Sequence, residues 1–247
     1  MDHLTLYAYL AAAFLIAGTV KGMVGIGLPT TALALMTLTL DARLAIALIL
    51  IPMLLTNAWQ VHRAGHTLRT ARRYLPFAIT LVTGVAITLT LTRNVPDRVL
   101  LGLLGLSILF FVAVNASKWA PSIPARRDRA AQLVAGAIAG AMGGLTSVWG
   151  PPMAIYLAAR QVGKDEFVRA TGLLIFFGSL PLVIGYLRQG YLTAPLAATS
   201  LVLLIPTFAG FALGERLRHR MSEKAFKTIL LGVFAVMGLN LIRRALM

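Results

Sequence analysis

The chain has 247 residues, 58% of them hydrophobic and 13% charged, with a mean hydropathy of +0.82. That apolar excess is more than a soluble core can hide and places the chain in a bilayer. It has no cysteine, which excludes a disulfide framework, a thiolate metal site and a thiol nucleophile, and its net charge of +15 must be judged by where the charges fall.

In chain order, apolar runs occupy residues 4–20, 28–40, 44–59, 74–91, 98–115, 131–148, 151–160, 167–187, 192–212 and 223–244. Ten segments make two sets of five. The residues from Met1 to Tyr9 carry Asp2 and no Lys or Arg, so they lack the basic region of a cleavable signal peptide, and the first segment is expected to be retained. Repeat one is read as about 4–115, repeat two as about 131–244, and 116–130 as a cytoplasmic linker within a single transmembrane domain.

One small-residue stretch occurs twice, as AGTVKGMVGIGLP at Ala17 to Pro29 and as AGAMGGLTSVWGPP at Ala139 to Pro152. A shift of 122 places Ala17 on Ala139, Gly18 on Gly140, Gly22 on Gly144 and Pro29 on Pro151. Similarity at a fixed offset marks a duplicated unit. Such halves often pack around one shared site in transporters.

Charge decides orientation. If the connections alternate between two sides, one side receives Arg63, Arg69, Arg72 and Arg73; Lys118, Arg126, Arg127 and Arg129; Arg160, Lys164 and Arg169; and Arg216, Arg218, Arg220, Lys224 and Lys227, which is 16 of the 23 basic residues. The other side holds Arg43, Arg93, Arg98, Arg188, Arg243 and Arg244, and Lys21 stands alone. The positive-inside rule makes the first side cytoplasmic and puts both termini outside the cytoplasm. The positive charge therefore serves topology, with the lipid bilayer as partner and no nucleic acid.

Four crossings per half would put basic loops on both sides, so an odd number per half fits, and an odd number inverts the second half. The turn at Asn94, Val95, Pro96, Asp97 and Arg98 matches Arg220, Met221, Ser222, Glu223 and Lys224, each a helix start with an acid in its first turn. Trp59, Tyr74 and Trp119 fall at cytoplasmic ends, and Tyr7, Tyr9, Tyr186 and Tyr191 at outer ends, as interfacial aromatic belts do. The predicted fold is an all-α polytopic membrane protein of two inverted-topology repeats, each with five helical segments and each opened by a Gly-rich broken helical hairpin.

At 1.5 Å per residue, segments 28–40 and 151–160 reach only about 20 Å and about 15 Å, against roughly 30 Å of hydrocarbon. The Gly-rich breaks then lie within the membrane, where irregular backbone is tolerated only in protein or along a cavity. Pro29 and the pair Pro151, Pro152 suit a first helical turn, leaving other amides and the positive dipole end facing the break. Gly22, Gly25, Gly27, Gly143, Gly144 and Gly150 allow close backbone approach, and Thr30, Thr146 and Ser147 add hydroxyls. This is an anion site in two halves.

Each of these residues has a second reading. Gly18 with Gly22, and Gly136, Gly140 with Gly144, are spaced four apart, the pattern of close helix packing. Lys21 either faces the anion or snorkels to the interface. Asn57 and Ser179, also 122 apart, either complete the cavity or bond between helices, and Trp149 either walls the pocket or fills a helix contact. Pro52, Pro76, Pro181 and Pro206 read as kinks. The carboxylates Asp2, Asp41, Asp97, Asp128, Asp165, Glu166, Glu215 and Glu223 and the histidines His3, His62, His66 and His219 all lie in tails, loops or segment ends. No buried acid or metal cluster is available for an enzyme, and no cofactor is called for.

The VKGMVGIGLP stretch after the first apolar segment and the AGAMGGLTSVWGPP stretch opening the second half resemble the sulfite exporter TauE/SafE family, also called the toluene sulfonate uptake permease family. The resemblance covers nearly the full length through the two halves. It implies a bacterial inner-membrane protein that moves sulfite, organosulfonates or other small sulfur-containing or organic anions. It carries over the two motif loops, residues 21–30 and 143–152. Leu145, Thr146, Ser147, Val148 and Trp149 depart from the more purely glycine-rich second motif of many members. The expected function is secondary transport of a small anionic substrate by alternating access. Another five-plus-five inverted-repeat carrier of drug/metabolite type, or an anion channel, are the alternatives. The sequence does not decide between a monomer and a homo-oligomer.

Overall fold

The computed structural model describes residues 3–91, 96–117, 122–220 and 222–246. The expectations for Met1, Asp2, Arg93, Asn94, Val95, Lys118, Trp119 and Met221, and for the side chains of Asp97, Glu223 and Lys227, lie outside the described residues.

The described residues form helices and no strand. In the first half these are α1 (His3–Val24), α2 (Leu28–Met36), α3 (Ala42–Ala64), α4 (Thr67–Arg73), α5 (Leu75–Leu91) and α6 (Asp97–Ala116). After a short 3-10 turn at Ala125–Arg127 come α7 (Asp128–Thr146), α8 (Gly150–Ala159), α9 (Lys164–Arg188), α10 (Ala194–Val202), α11 (Leu204–His219) and α12 (Glu223–Leu246). Four helices or helix runs are long and apolar enough to cross a membrane, and a fifth joins them if α4 and α5, bent by 76°, count as one span. The protein is a multi-pass membrane protein.

Two departures from the predicted segments trace to proline. A proline ring clashes with the carbonyl four residues earlier and donates no amide hydrogen bond. Pro206 acts so against Val202, and the single segment expected at 192–212 divides at Leu203 into α10 and α11, which still count as one apolar run, Ala194–His219. Pro76 acts so against Arg72, and the chain bends at Tyr74. The polar residues before that bend form α4, where no helix was expected. Pro52 and Pro181 sit inside unbroken α3 and α9. The first segment runs four residues further than expected, so Lys21 and Gly22 belong to the last turns of α1.

Two glycine seams organise the packing. Gly18 and Gly22 of α1 press on the backbone of Thr207 and Phe211 in α11, and Gly210 and Gly214 of α11 press back on Leu15 and Thr19. Gly136, Gly140 and Gly144 of α7 lie in the same way against Phe77, Leu81 and Val85 of α5, where Gly84 answers Gly140. A Cβ at any of these positions would meet main-chain atoms. Helices in lipid gain no hydrophobic drive from each other, so close backbone contact is what holds such pairs together. Further pairings join α3 to α9 and α6 to α12. Exchanging the first-half helices for their second-half counterparts turns the α1–α11 seam into the α7–α5 seam and leaves the α3–α9 and α6–α12 pairings in place.

Polar contacts gather the basic connections at one end. Arg63 pairs with Glu215 at 2.9 Å, Arg73 with Glu166, and Arg160 with Asp128 at 2.9 Å, while Gln132 Nε2 donates to the Arg73 carbonyl. The ends of α3, α4, α8 and α11 and the starts of α7 and α9 therefore meet on one basic face. Tyr74 is buried there, its hydroxyl donating to Glu166 Oε1 at 2.6 Å, so it is a structural residue and not the interfacial belt residue that its position suggested. Tyr186 is buried too, its ring tilted against that of Tyr191 at 5.6 Å between ring centres, and Arg43 lies over the Tyr191 ring. Trp59 is exposed as expected.

Candidate functional site

The two breaks come together inside the bundle. The first runs through Gly25 and Gly27, whose φ angles of 84° and 105° would strain any residue with a side chain. The second turns at Ser147, with φ 57°, the position 122 residues after Gly25. A Cβ on Gly150 would lie 3.8 Å from Ile26 Cδ1, which puts that side chain of the first break near the first residue of α8.

Pro29 occupies the first turn of α2, and Pro151 and Pro152 that of α8. The same prolines thin the amide supply. At α2 the Thr31 amide already donates to the Gly27 carbonyl, which leaves Leu28 and Thr30. At α8 two of the first three positions are proline, and Met153 N lies 3.5 Å from the Trp149 carbonyl, which leaves Gly150. The backbone thus offers fewer donors than a proline-free helix start would.

Side chains supply what the backbone lacks. Lys21 is 1% exposed and is the one buried Lys, Arg, Asp or Glu among the described residues. Its Nζ donates to Asn57 Oδ1 at 2.6 Å, and Asn57 Nδ2 is committed to the Met53 carbonyl at 2.6 Å. Asn57 is neutral, so the ammonium is desolvated beside a dipole instead of a counter-charge. Desolvating an ion costs several kcal/mol unless an opposite charge and further hydrogen bonds compensate it. Lys21 does not snorkel, because the glycine seam with α11 holds its end of α1 inside the bundle.

Trp149 is 1% exposed, and its indole Nε1–H is buried without a partner. The ring lies against Gly143, where a Cβ would collide with Cε3, and its Cε2 is 3.5 Å from where a Cβ on Gly178 would be. Gly143 is therefore the seat of an aromatic ring. Gly22 and Gly144 are seats for α11 and α5. Gly27 faces Val20 and Phe234. Thr30 is buried beside Pro29. The Thr146 hydroxyl donates to the Met142 carbonyl at 2.8 Å, that of Ser147 to Thr146 O at 2.6 Å and that of Ser179 to Phe176 O at 2.7 Å, so all three are spent within their own segments. Pro151 and Pro152 also line an apolar cavity of about 520 Å³ between α6, α7 and α8, together with Leu106, Phe110 and Met142.

The sequence reading missed Gln60. It is 4% exposed, and its Nε2 donates to the Val168 carbonyl at 2.7 Å and the Gly25 carbonyl at 3.3 Å, fastening the first break to α9. The available signal was an uncharged amide three residues after Asn57 in an otherwise apolar helix.

Among the described residues Lys21 is thus the one buried side chain of the Lys, Arg, Asp and Glu set, and the family model for the sulfite exporters TauE/SafE matches residues 10–241. The chain belongs to the TauE/SafE sulfite exporter family. No curated protein and no solved structure matches it. A TauE/SafE chain is a membrane transporter of the sulfite-exporter type, and the match spans both glycine-rich breaks.

Proposed function

We propose that the protein is a secondary transporter of small sulfur-containing or organic anions, sulfite or an organosulfonate among them. The anion sits between the starts of α2 and α8, and two halves of inverted topology rock around it to expose it to each side in turn. The repeats are residues 4–115 and 131–244. The basic face is cytoplasmic, both termini are outside, and the membrane is a bacterial inner membrane.

The observation that carries this reading is Lys21, a buried ammonium whose hydrogen-bond partner, Asn57, bears no charge. An arriving anion supplies the missing counter-charge. The indole N–H of Trp149 and the amides of Leu28, Thr30 and Gly150 add donors. Outward movement of one negative charge gains about 2.3 kcal/mol per 100 mV of inside-negative potential, so export needs no further driving ion.

The test is uptake by purified protein in proteoliposomes, with sulfite, thiosulfate, sulfoacetate and an aromatic sulfonate, with and without a pH gradient. Saturable sulfite flux that disappears in Lys21→Ala, with insertion unchanged, is the expected result. Equal flux in Lys21→Ala would remove the site, and flux that never saturates would make the protein a channel.

A further inference from the structure

The basic ends of α3, α9 and α11 surround a polar vestibule of about 260 Å³, lined among others by Gln60, Arg63, Arg169, Glu215, Arg218 and His219. We propose that this vestibule is the access site through which a small oxyanion from the basic face reaches Lys21, and that Gln60 is the side chain it must displace. This rests on the reading of Lys21 as the anion's partner.

Position comes first. Asn57 and Gln60 are three apart on α3 and share one face of it, so one helical turn separates the vestibule lining from the residue that holds Lys21. Gly25, to whose carbonyl Gln60 donates, has its own amide bonded to the Lys21 carbonyl at 2.6 Å. Gln60 therefore stands between the polar chamber and the buried ammonium.

Charge fits an anion. Glu215 binds Arg63 at 2.9 Å and Arg218 at 3.6 Å, and Asp165 is the other acid of the lining. Three arginines, counting Arg169, then face two carboxylates before His219 is considered. A concave site of net positive sign draws small anions in.

The clamp is also built to open. With Nε2 given to two carbonyls, Gln60 Oε1 is buried without a partner, so the closed arrangement does not satisfy the side chain. A Cβ on Gly172 would lie 2.8 Å from Gln60 Nε2, so glycine alone leaves the amide its space. At the positions 122 residues away Gln60 and its α9 neighbours have apolar counterparts, Leu182 for Gln60, Ile46 for Val168, Ile49 for Thr171 and Leu50 for Gly172, and only Gly25 matches a polar residue, Ser147. The polar clamp belongs to the basic end alone.

The chain has no cysteine, so single cysteines report access without background. Ala64→Cys marks the vestibule and Asn57→Cys the position one turn deeper. Each is treated with a membrane-impermeant methanethiosulfonate, on the full chain in vesicles that expose the basic face. Ala64→Cys should react readily. Asn57→Cys should be protected while Gln60 is present and react about tenfold faster or more with Gln60→Ala, as when a charge-independent hydrogen-bonded clamp is lost. Gln60→Met, which keeps the length but has no donor for the two carbonyls, should do the same, and monodisperse elution with an unchanged melting temperature verifies that each variant is folded. Equal rates at Asn57→Cys with and without Gln60, or an inert Ala64→Cys, would overturn the proposal. Labelling needs no transported ion, so a vestibule that fails this test while Lys21→Ala still abolishes sulfite flux leaves the anion site standing and removes only the route.

Discussion

Lys21 and Asn57 make a pair whose chemistry is easily inverted. Replacing Asn57 by Asp would set a carboxylate where Oδ1 now meets Nζ at 2.6 Å, giving the ammonium a permanent internal counter-ion. Thermal stability of Asn57→Asp in detergent should change little, the new ion pair offsetting the lost Nδ2 bond to the Met53 carbonyl, while sulfite flux falls about tenfold or more, because the anion no longer has a charge to neutralise. Lys21→Met, which keeps length without charge, should lower flux by about 10-fold to 100-fold, the worth of a charged hydrogen bond. Trp149 separates shape from donation. Trp149→Phe keeps an aromatic ring near Gly143 but deletes the unpartnered N–H, so half-saturating sulfite should rise about fivefold to tenfold with stability unchanged. A flux curve identical to the parent's would show that the indole is only a packing group.

At the scale of helices, the seams carry the prediction. Gly214 meets the main chain of Thr19, and a leucine there would push α11 off α1. Gly214→Leu should cost about 1–3 kcal/mol or more through overpacking and reduce recovery of monodisperse protein, and Gly140→Leu should do the same through α5. Both helix hairpins, their proline-led starts and the 122-residue offset were legible in the sequence, because a break followed by proline has a local physical cause. Lys21 was legible as the odd charge, and Asn57 as a polar residue with a counterpart in the other half. Gln60 was not, since its partners are more than 30 residues away at Gly25 and 108 away at Val168, and Leu182 at the matching position hides it from a search for repeats. The Gly143 and Gly144 pair looked like one ligand cradle, yet the first seats an indole and the second seats α5. Helix faces sort such neighbours, and spacing along the chain does not. Tyr74 misled for a related reason, because an aromatic at a segment end reads as interfacial until its acid partner, Glu166, is seen.

For the molecule as a whole, the cross-pairing of helices means that neither half completes its own packing: α1 needs α11, and α7 needs α5. Residues 1–117 and 122–247 expressed separately should be degraded, whereas co-expression of the two pieces should restore a complex that purifies together. Stable monomeric accumulation of either piece alone would contradict this. The α1–α11 seam also has a consequence in time. Gly18 leaves the ribosome about 190 residues ahead of Gly210, the glycine that answers it across the seam, a delay of roughly 10 to 40 s at ordinary synthesis rates. During that interval the first helix, with its lysine, must be sheltered by the insertion machinery or by a provisional neighbour. The last fifth of the translated message thereby decides whether the first helix is ever properly housed.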